Sequence, residues 1–254
     1  MTKKPTSPLY AGHRGASYLA PENTLASQQL AWQLGAAGTE CDILMTKDQQ
    51  VIMFHDHDGK RLLQQVIAIA DTNYAELKDY PIGFTKPTQE PKYKGQTIAL
   101  LSDVLDILPA DKLFVIEIKT GNEIVPALKK AIDGHWKQGK IAFIAFDWQV
   151  IIDMKALYPL VPCHFLADNR ESLANRFDDI INSSLDGINL DYKIIDKPLV
   201  DQYLAHDKTT WCWTVNTLAD ALAMEAAGVQ LITTDRPKWL LEQIRQYKKD
   251  SAKK

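Results

Sequence analysis

Charged side chains stranded inside apolar runs are the most informative feature of this chain. In Gly38-Thr39-Glu40-Cys41-Asp42-Ile43-Leu44, Glu40 and Asp42 stand two residues apart; in Leu113-Phe114-Val115-Ile116-Glu117-Ile118-Lys119, Glu117 and Lys119 do the same. Side chains of a strand alternate between its two faces, so each pair shares one face and the apolar neighbours take the other. Desolvating an isolated carboxylate costs several kcal/mol, so three of them converging need compensation. A divalent cation supplies it, and carboxylate oxygens suit a hard ion, Mg²⁺ or Ca²⁺, better than zinc. The competing reading is a salt bridge from Glu40 or Asp42 to Lys119 or Arg14.

Two histidines close similar runs. His13 follows Tyr10-Ala11-Gly12 and precedes Arg14-Gly15, where two glycines let the backbone turn tightly, and His55 follows Val51-Ile52-Met53-Phe54. Two imidazoles beside one phosphate can divide the work, one accepting a proton and the other donating one to a leaving alkoxide. His57 falls past the strand in His55-Asp56-His57-Asp58 and reads as a loop residue, while His135, His164 and His206 read as surface or core. Trp211 and Trp213 share a strand face. Trp211 reads as core; Trp213, nearer the strand's C-terminal end, could wall a substrate.

The elements that carry these residues follow a regular order. The pattern predicts strands at Leu9–Gly12, Thr39–Leu44, Val51–His55, Leu113–Lys119, Ile141–Phe146, Pro162–Leu166, Gly187–Asp191, Thr210–Val215 and Gln230–Thr234. Helical patterns separate most of them: Leu25, Leu30 and Leu34 after an Asn23 N-cap, Ile124, Leu128 and Ile132 after Glu123, and Ile151, Ile152 and Leu157 before Pro159. Pro198 and Pro237 suit first helical turns, and Gly228 suits a helix end. Apolar strands alternating with helices indicate an α/β fold with a parallel sheet, and 254 residues suit one (β/α)₈ TIM barrel. The link from Leu44 to Val51 is too short for a parallel crossover, so Val51–His55 becomes an extra hairpin strand and eight remain for the barrel. The glutamates and aspartate then lie toward the C-terminal ends of their strands, where barrel enzymes place their chemistry. Residues 58–100, punctuated by Gly59, Pro81, Gly83, Pro87, Pro91 and Gly95, form an insertion with one helical piece around Thr72–Lys78. It reads as a lid or substrate-selecting module within a single domain spanning 1–254.

Composition narrows the partners. A net charge of -3 offers no basic field for nucleic acid or anionic membrane. Met1 to Pro8 is polar, with no apolar core of a signal peptide, and no apolar run reaches membrane-spanning length. Cys41, Cys163 and Cys212 are odd in number and far apart, reading as buried reduced thiols of a cytoplasmic protein. The tail from Lys248 to Lys254 reads as frayed. The partner expected is a small molecule, and no oligomeric state is specified.

Taken together, these residues resemble the glycerophosphodiester phosphodiesterase family. The blocks are His13-Arg14-Gly15 with Pro21-Glu22-Asn23-Thr24, then Glu40-x-Asp42 with Thr46-Lys47-Asp48 and His55-Asp56, then Glu117-Ile118-Lys119, Trp213-Thr214-Val215-Asn216 and Thr234-Asp235-Arg236-Pro237, in family order. The resemblance implies the barrel with its extra hairpin and insertion. It implies that Glu40, Asp42 and Glu117 bind one divalent cation, that His13 and His55 are general acid and base, that Arg14 and Lys119 hold the phosphate, and that Trp213 flanks the substrate's glycerol. The activity implied is metal-dependent hydrolysis of glycerophosphodiesters to sn-glycerol 3-phosphate and an alcohol. Two departures bear on substrate preference: Leu62 and Leu63 follow Arg61 where the family often has two threonines, and Ala145 precedes Phe146 where serine is common. Rival readings are a lysophospholipase D or phospholipase C-like enzyme, with Val66-Ile67-Ala68-Ile69 lining a lipid-binding lid, and a catalytically silent phosphate-binding barrel.

Overall fold

A computed structural model describes residues 7–253. Among them nine strands form one sheet: β1 (Leu9–Gly12), β2 (Gly38–Met45), β3 (Val51–Met53), β4 (Leu113–Ile118), β5 (Lys140–Ala145), β6 (Cys163–Ala167), β7 (Gly187–Asp191), β8 (Thr209–Trp213) and β9 (Leu231–Thr234). The order runs β1-β9-β8-β7-β6-β5-β4-β2-β3, and β1 also pairs with β2. That last pairing closes the ring. Eight strands are parallel neighbours in a barrel, and β3 lies antiparallel on β2 as the hairpin expected.

Strand alternation sorts the side chains into two layers. Ala11, Val115, Ala142, Ile144, Leu166, Trp211 and Leu231 pack inside the barrel. Cys41, Ile43, Phe114, Ile116, Phe143 and Phe165 face outward into a larger core shared with the helices, including Leu128 and Ile132 of helix Val125–His135. Glu40 and Asp42 thus take the inward parity, opposite Cys41 and Ile43. His164 is also inward; its ring stacks on Trp211 at 3.7 Å and bonds Thr209 Oγ1 at 2.7 Å. Burial pushes the His164 imidazole down to about 3, so it stays neutral in the core.

Helix ends follow local chemistry. Thr24, not Asn23, caps helix Leu25–Gln33, accepting from the Ser27 N–H; Asn23 is diverted to the site described below. Asp147 caps helix Trp148–Leu157, whose buried stripe is Val150, Ile151 and Met154, whereas Ile152 is half-buried and Leu157 exposed. Of the three residues expected to form the stripe, Ile151 alone is fully buried. Pro198 and Pro237 lie in first turns, and Gly228 ends helix Leu218–Ala227 at a φ of +95°. The final helix runs Pro237–Ser251, so most of the tail expected to fray continues an ordered helix; Lys254, like residues 1–6 of the N-terminal stretch, lies outside the described residues. Among the described residues no helix is long and apolar enough to cross a membrane.

The insertion builds a small core of its own. Leu62, Leu63, Ile69, Leu77, Ile82 and Ile98 pack against Leu44, Ile52 and Phe54 of the β2–β3 hairpin region. Half of the Val66-Ile67-Ala68-Ile69 piece, expected to line a lipid lid, joins this packing: Ile69 is buried and Ile67 leans on it, leaving Val66 and Ala68 exposed. Truncating a fully buried leucine removes transfer free energy and leaves a cavity, so Leu77→Ala should cost about 2–5 kcal/mol in urea unfolding. A loss under about 1 kcal/mol would show that the insertion stands outside the cooperative fold.

Candidate active site

The turn after β1 starts the site. Gly12 has no room for a side chain, since a Cβ there would sit 2.5 Å from the Gly15 carbonyl oxygen. The chain then passes through Arg14 at a φ of +54° and Gly15 at +81°. A positive φ is uncommon for arginine. Its result is that the Arg14 N–H points at Glu40 and donates to Oε2 at 2.9 Å.

Three acids gather beneath this turn. Asp42 on β2 pairs in register with Glu117 on β4, both inward, and Glu40 lies two residues before Asp42. One oxygen from each of Glu40, Asp42 and Glu117 lies within 4.8 Å of the others. Asn23 clamps the middle member: its Nδ2 donates to Asp42 Oδ2 at 2.8 Å, and its Oδ1 accepts from the Asp42 backbone N–H at 3.1 Å. Asn23 reaches this position at a φ of +55°, which asparagine tolerates better than most residues.

Cations flank the acids, as the salt-bridge reading required. Lys119 Nζ lies 2.7 Å from Glu117 and 3.4 Å from Asp42. Arg14 reaches Glu22 through Nη1 at 2.7 Å and Asp42 through Nε at 3.0 Å. The arginine fork expected to grip a phosphate is therefore partly occupied by carboxylates. Yet the pairing is incomplete. Glu40 Oε1 and Asp42 Oδ1 are buried without a hydrogen-bond partner among the described residues. Counting Glu22, Glu40, Asp42, Asp56 and Glu117 against Arg14, Arg61 and Lys119, the network holds two more acids than cations.

The strain shows in the acids' proton affinities. Burial and the neighbouring Asp42 and Glu117 charges hold Glu40 well above the usual carboxylate range. Burial and Asp42 push Glu117 up to about 7, against the pull of Lys119. Burial would raise Asp42 as well, but Arg14, Lys119 and His55 outweigh it and bring it down to about 2. Protein charges alone thus favour one ionised acid and two reluctant ones. Hard oxygen donors, two with unpartnered atoms, fit a divalent cation.

Above the acids opens a cleft of about 440 Å³. His13, Arg14, Glu40, His55, Glu117, Lys119 and Trp213 line it, while Asp42 lies beneath the wall, 1% exposed. Each histidine has a carboxylate behind it. His13 Nδ1 is 2.8 Å from Asp235 Oδ1, and His55 Nδ1 is 2.6 Å from Asp56 Oδ1. With Nδ1 engaged, Nε2 is the nitrogen left to meet a ligand. Burial, aided by Arg14 and Lys119, lowers His55 despite Asp42 and Asp56. His13, Lys86, Ser17 and Asn216 all contact the Asp235 carboxylate. Burial would raise Asp235, but His13 and Lys86 hold it far below the usual carboxylate range. On the opposite lip, the Trp213 ring meets Phe146 edge-on at 6.2 Å, with Phe146 43% exposed.

Several participants escaped the sequence reading. Asn189 is buried, lines the cleft and leaves Oδ1 without a partner among the described residues. It sits inside the apolar run Gly187-Ile188-Asn189-Leu190, the signal that singled out Glu40. Glu22, Asn23 and Asp235 stood within quoted motifs, but their partners lie on other elements. His57 is exposed and outside the cleft.

Residues 13–239 match the model of the glycerophosphoryl diester phosphodiesterase family. The chain belongs to this family. It is accordingly a glycerophosphodiester phosphodiesterase, a phosphoric diester hydrolase. A glycerophosphodiester phosphodiesterase of Caldanaerobacter subterraneus is 28% identical over 93% of this chain and 98% of its own. A human lysophospholipase D is 32% identical over 46% of this chain and 38% of its own. The solved Oleispira antarctica phosphodiesterase, in complex with the product sn-glycerol-3-phosphate, superposes with a TM-score of 0.83 at 24% identity, covering 94% of this chain and 97% of its own. Family membership accounts for the barrel, the extra hairpin strand and the reaction class together.

The Asn23 clamp is testable without any ligand. Asn23→Gly keeps the positive φ accessible but leaves the Asp42 N–H without its partner and Oδ2 with Arg14 alone, so it should cost about 1–3 kcal/mol in urea unfolding with chelator present. Unchanged stability would show that Asp42 needs no such support.

Proposed function

We propose that this enzyme hydrolyses glycerophosphodiesters to sn-glycerol 3-phosphate and a free alcohol, with Glu40, Asp42 and Glu117 holding one divalent cation, Mg²⁺ or Ca²⁺, and His13 and His55 transferring protons. One observation carries this reading. Three inward carboxylates, two with buried oxygens that lack a hydrogen-bond partner among the described residues, lie under a cleft walled by two carboxylate-backed imidazoles. The Oleispira antarctica phosphodiesterase of the same fold, solved with sn-glycerol-3-phosphate as product, supports the product assignment. The chain, 1–254, makes up one barrel domain, with 58–100 as an insertion, and its buried free thiols Cys41, Cys163 and Cys212 support the cytoplasm as the compartment.

When bound, a divalent cation would neutralise the diester's charge and stabilise oxygens that gain charge during the reaction. Lys119 adds a positive point charge beside the acids, and Arg14 contributes from the cleft wall, with Nη1 hydrogen-bonded to Glu22 and Nε 3.0 Å from Asp42. One imidazole accepts, through Nε2, the proton of the attacking hydroxyl, from water or from the substrate's own glycerol. As the new P–O bond forms, the P–O bond to the alcohol breaks, and the other imidazole gives that oxygen its proton. Attack by the neighbouring glycerol hydroxyl gains from proximity and passes through a cyclic phosphate that water opens. Trp213 and Phe146 form an apolar wall for the glycerol or the departing group.

The partial match to a human lysophospholipase D and the exposed Phe146 at the cleft support a second reading, in which a lysophospholipid is the substrate. Comparing glycerophosphocholine with a lysophosphatidylcholine separates the two by which one turns over.

His13→Ala and His55→Ala should each lower turnover at least ~10²-fold, the usual scale of lost acid–base catalysis. Near-normal turnover in both removes the two-histidine scheme. Chelator-stripped protein should be inactive until Mg²⁺, Ca²⁺ or Mn²⁺ is returned, and Glu117→Gln should raise the metal concentration needed by about 10-fold or more. Full activity in excess chelator overturns the metal assignment.

A further inference from the structure

Behind each histidine–carboxylate pair stands a cation, and both cations come from the insertion. Lys86 Nζ lies 2.8 Å from Asp235 Oδ2, the oxygen that His13 does not use, and donates to Ser17 Oγ at 3.4 Å. Arg61 donates through Nε to Asp56 Oδ2 at 2.7 Å and through Nη2 to Oδ1 at 3.2 Å. The two arms leave different parts of the insertion yet end in the same arrangement of imidazole, carboxylate and cation.

Lys86 is held for this task by its own backbone. The buried Gln89 side chain accepts from the N–H groups of Thr85 and Lys86. It donates to the carbonyls of Ser17 and Ala20, each at 3.0 Å. Thr88 Oγ1 donates to the Tyr18 carbonyl at 2.6 Å, and the Glu90 N–H donates to the Leu19 carbonyl at 2.8 Å. Residues 85–90 are thereby stapled to residues 17–20, which follow the His13-Arg14-Gly15 turn directly. A lysine free to wander would gain little from an exposed ion pair, but one whose backbone is fixed beside the carboxylate orders it.

We propose that Lys86 and Arg61 are positioning residues for proton transfer: each seats the carboxylate that orients one histidine, making the insertion part of the catalytic frame. This rests on the reading of His13 and His55 as the acid–base pair. Lys86 shares Oδ2 of Asp235 with Asn216 Nδ2, leaving Oδ1 to Ser17 Oγ and His13 Nδ1, and its charge completes the seating that keeps the proton on Nδ1 and Nε2 toward the cleft. Arg61 does the same for Asp56, but it also donates to Glu22, the partner of Arg14. Lys86 is therefore the cleaner probe.

Lys86→Met, Lys86→Arg and His13→Ala should be compared with the unaltered enzyme on glycerophosphocholine at saturating metal. Lys86→Met should lower kcat about 10-fold or more while KM stays within about 3-fold, the pattern of a lost partner behind a functional histidine. Lys86→Arg should recover most of that loss, and the urea unfolding midpoint should hold. Ring ¹⁵N spectra should show His13 as the Nδ1–H tautomer in the unaltered enzyme and a mixture of tautomers in Lys86→Met. Unchanged kcat in Lys86→Met alongside an inactive His13→Ala overturns the inference and spares the histidine scheme. So does a lower kcat that Lys86→Arg leaves unrepaired while the unfolding midpoint falls, because that marks a structural role. An active His13→Ala brings down the histidine scheme and this inference together.

Discussion

Mutual repulsion among Glu40, Asp42 and Glu117 is the constraint that organises the rest of the structure. Three carboxylates sharing a buried pocket cannot all ionise comfortably, and the fold surrounds them with partial remedies. Arg14 and Lys119 supply charge, Asn23 supplies hydrogen bonds, and the turn after β1 aims a backbone N–H at Glu40. Each remedy has a cost of its own. Arg14 and Asn23 both adopt positive φ, and Arg14 gives up part of its hydrogen-bonding fork. The remedies stop short of neutrality, leaving two carboxylate oxygens without a hydrogen-bond partner among the described residues. An arrangement that merely stabilised the protein would have replaced an acid with an apolar side chain; keeping all three makes sense where something positive and polyvalent belongs.

Much of this was legible in the residues because strand alternation is a rigid rule. A polar side chain in an apolar strand must face either a helix or the barrel interior, and parity puts Glu40, Asp42 and Glu117 on one side together. The hairpin was equally readable, since five polar residues cannot make a parallel crossover. Parity alone does not separate site from core, however. His164 also points inward, but it stacks on Trp211 deep in the barrel and has no part in the cleft. Depth along the strand decides, and depth emerges only once the register of neighbouring strands is known.

What stayed hidden depends on contacts between distant segments. Asn23 has the right character for a helix cap, and nothing local says that it will abandon the cap to Thr24 and serve Asp42 nineteen residues on. Asp235 lies 222 residues from His13, and only the pairing of β9 with β1 brings them side by side. The insertion was harder still. Its glycines and prolines suggested a lid or substrate-selecting module; its apolar side chains bury themselves against the hairpin and its polar ones reach the site.

The hairpin has one more consequence. β3 runs back along β2 with Ile43 opposite Met53, and the Phe54 N–H reaches the Asp42 carbonyl, so His55 returns to the level of the acids it serves. The connection between the two strands therefore works as a gauge, setting how far the imidazole travels before it stops. Because neighbouring strand positions face opposite ways, a single residue gained or lost in that connection would turn His55 toward the far side of the hairpin. A short polar connection, outside the lining of the cleft, thus measures out the spacing on which the chemistry runs.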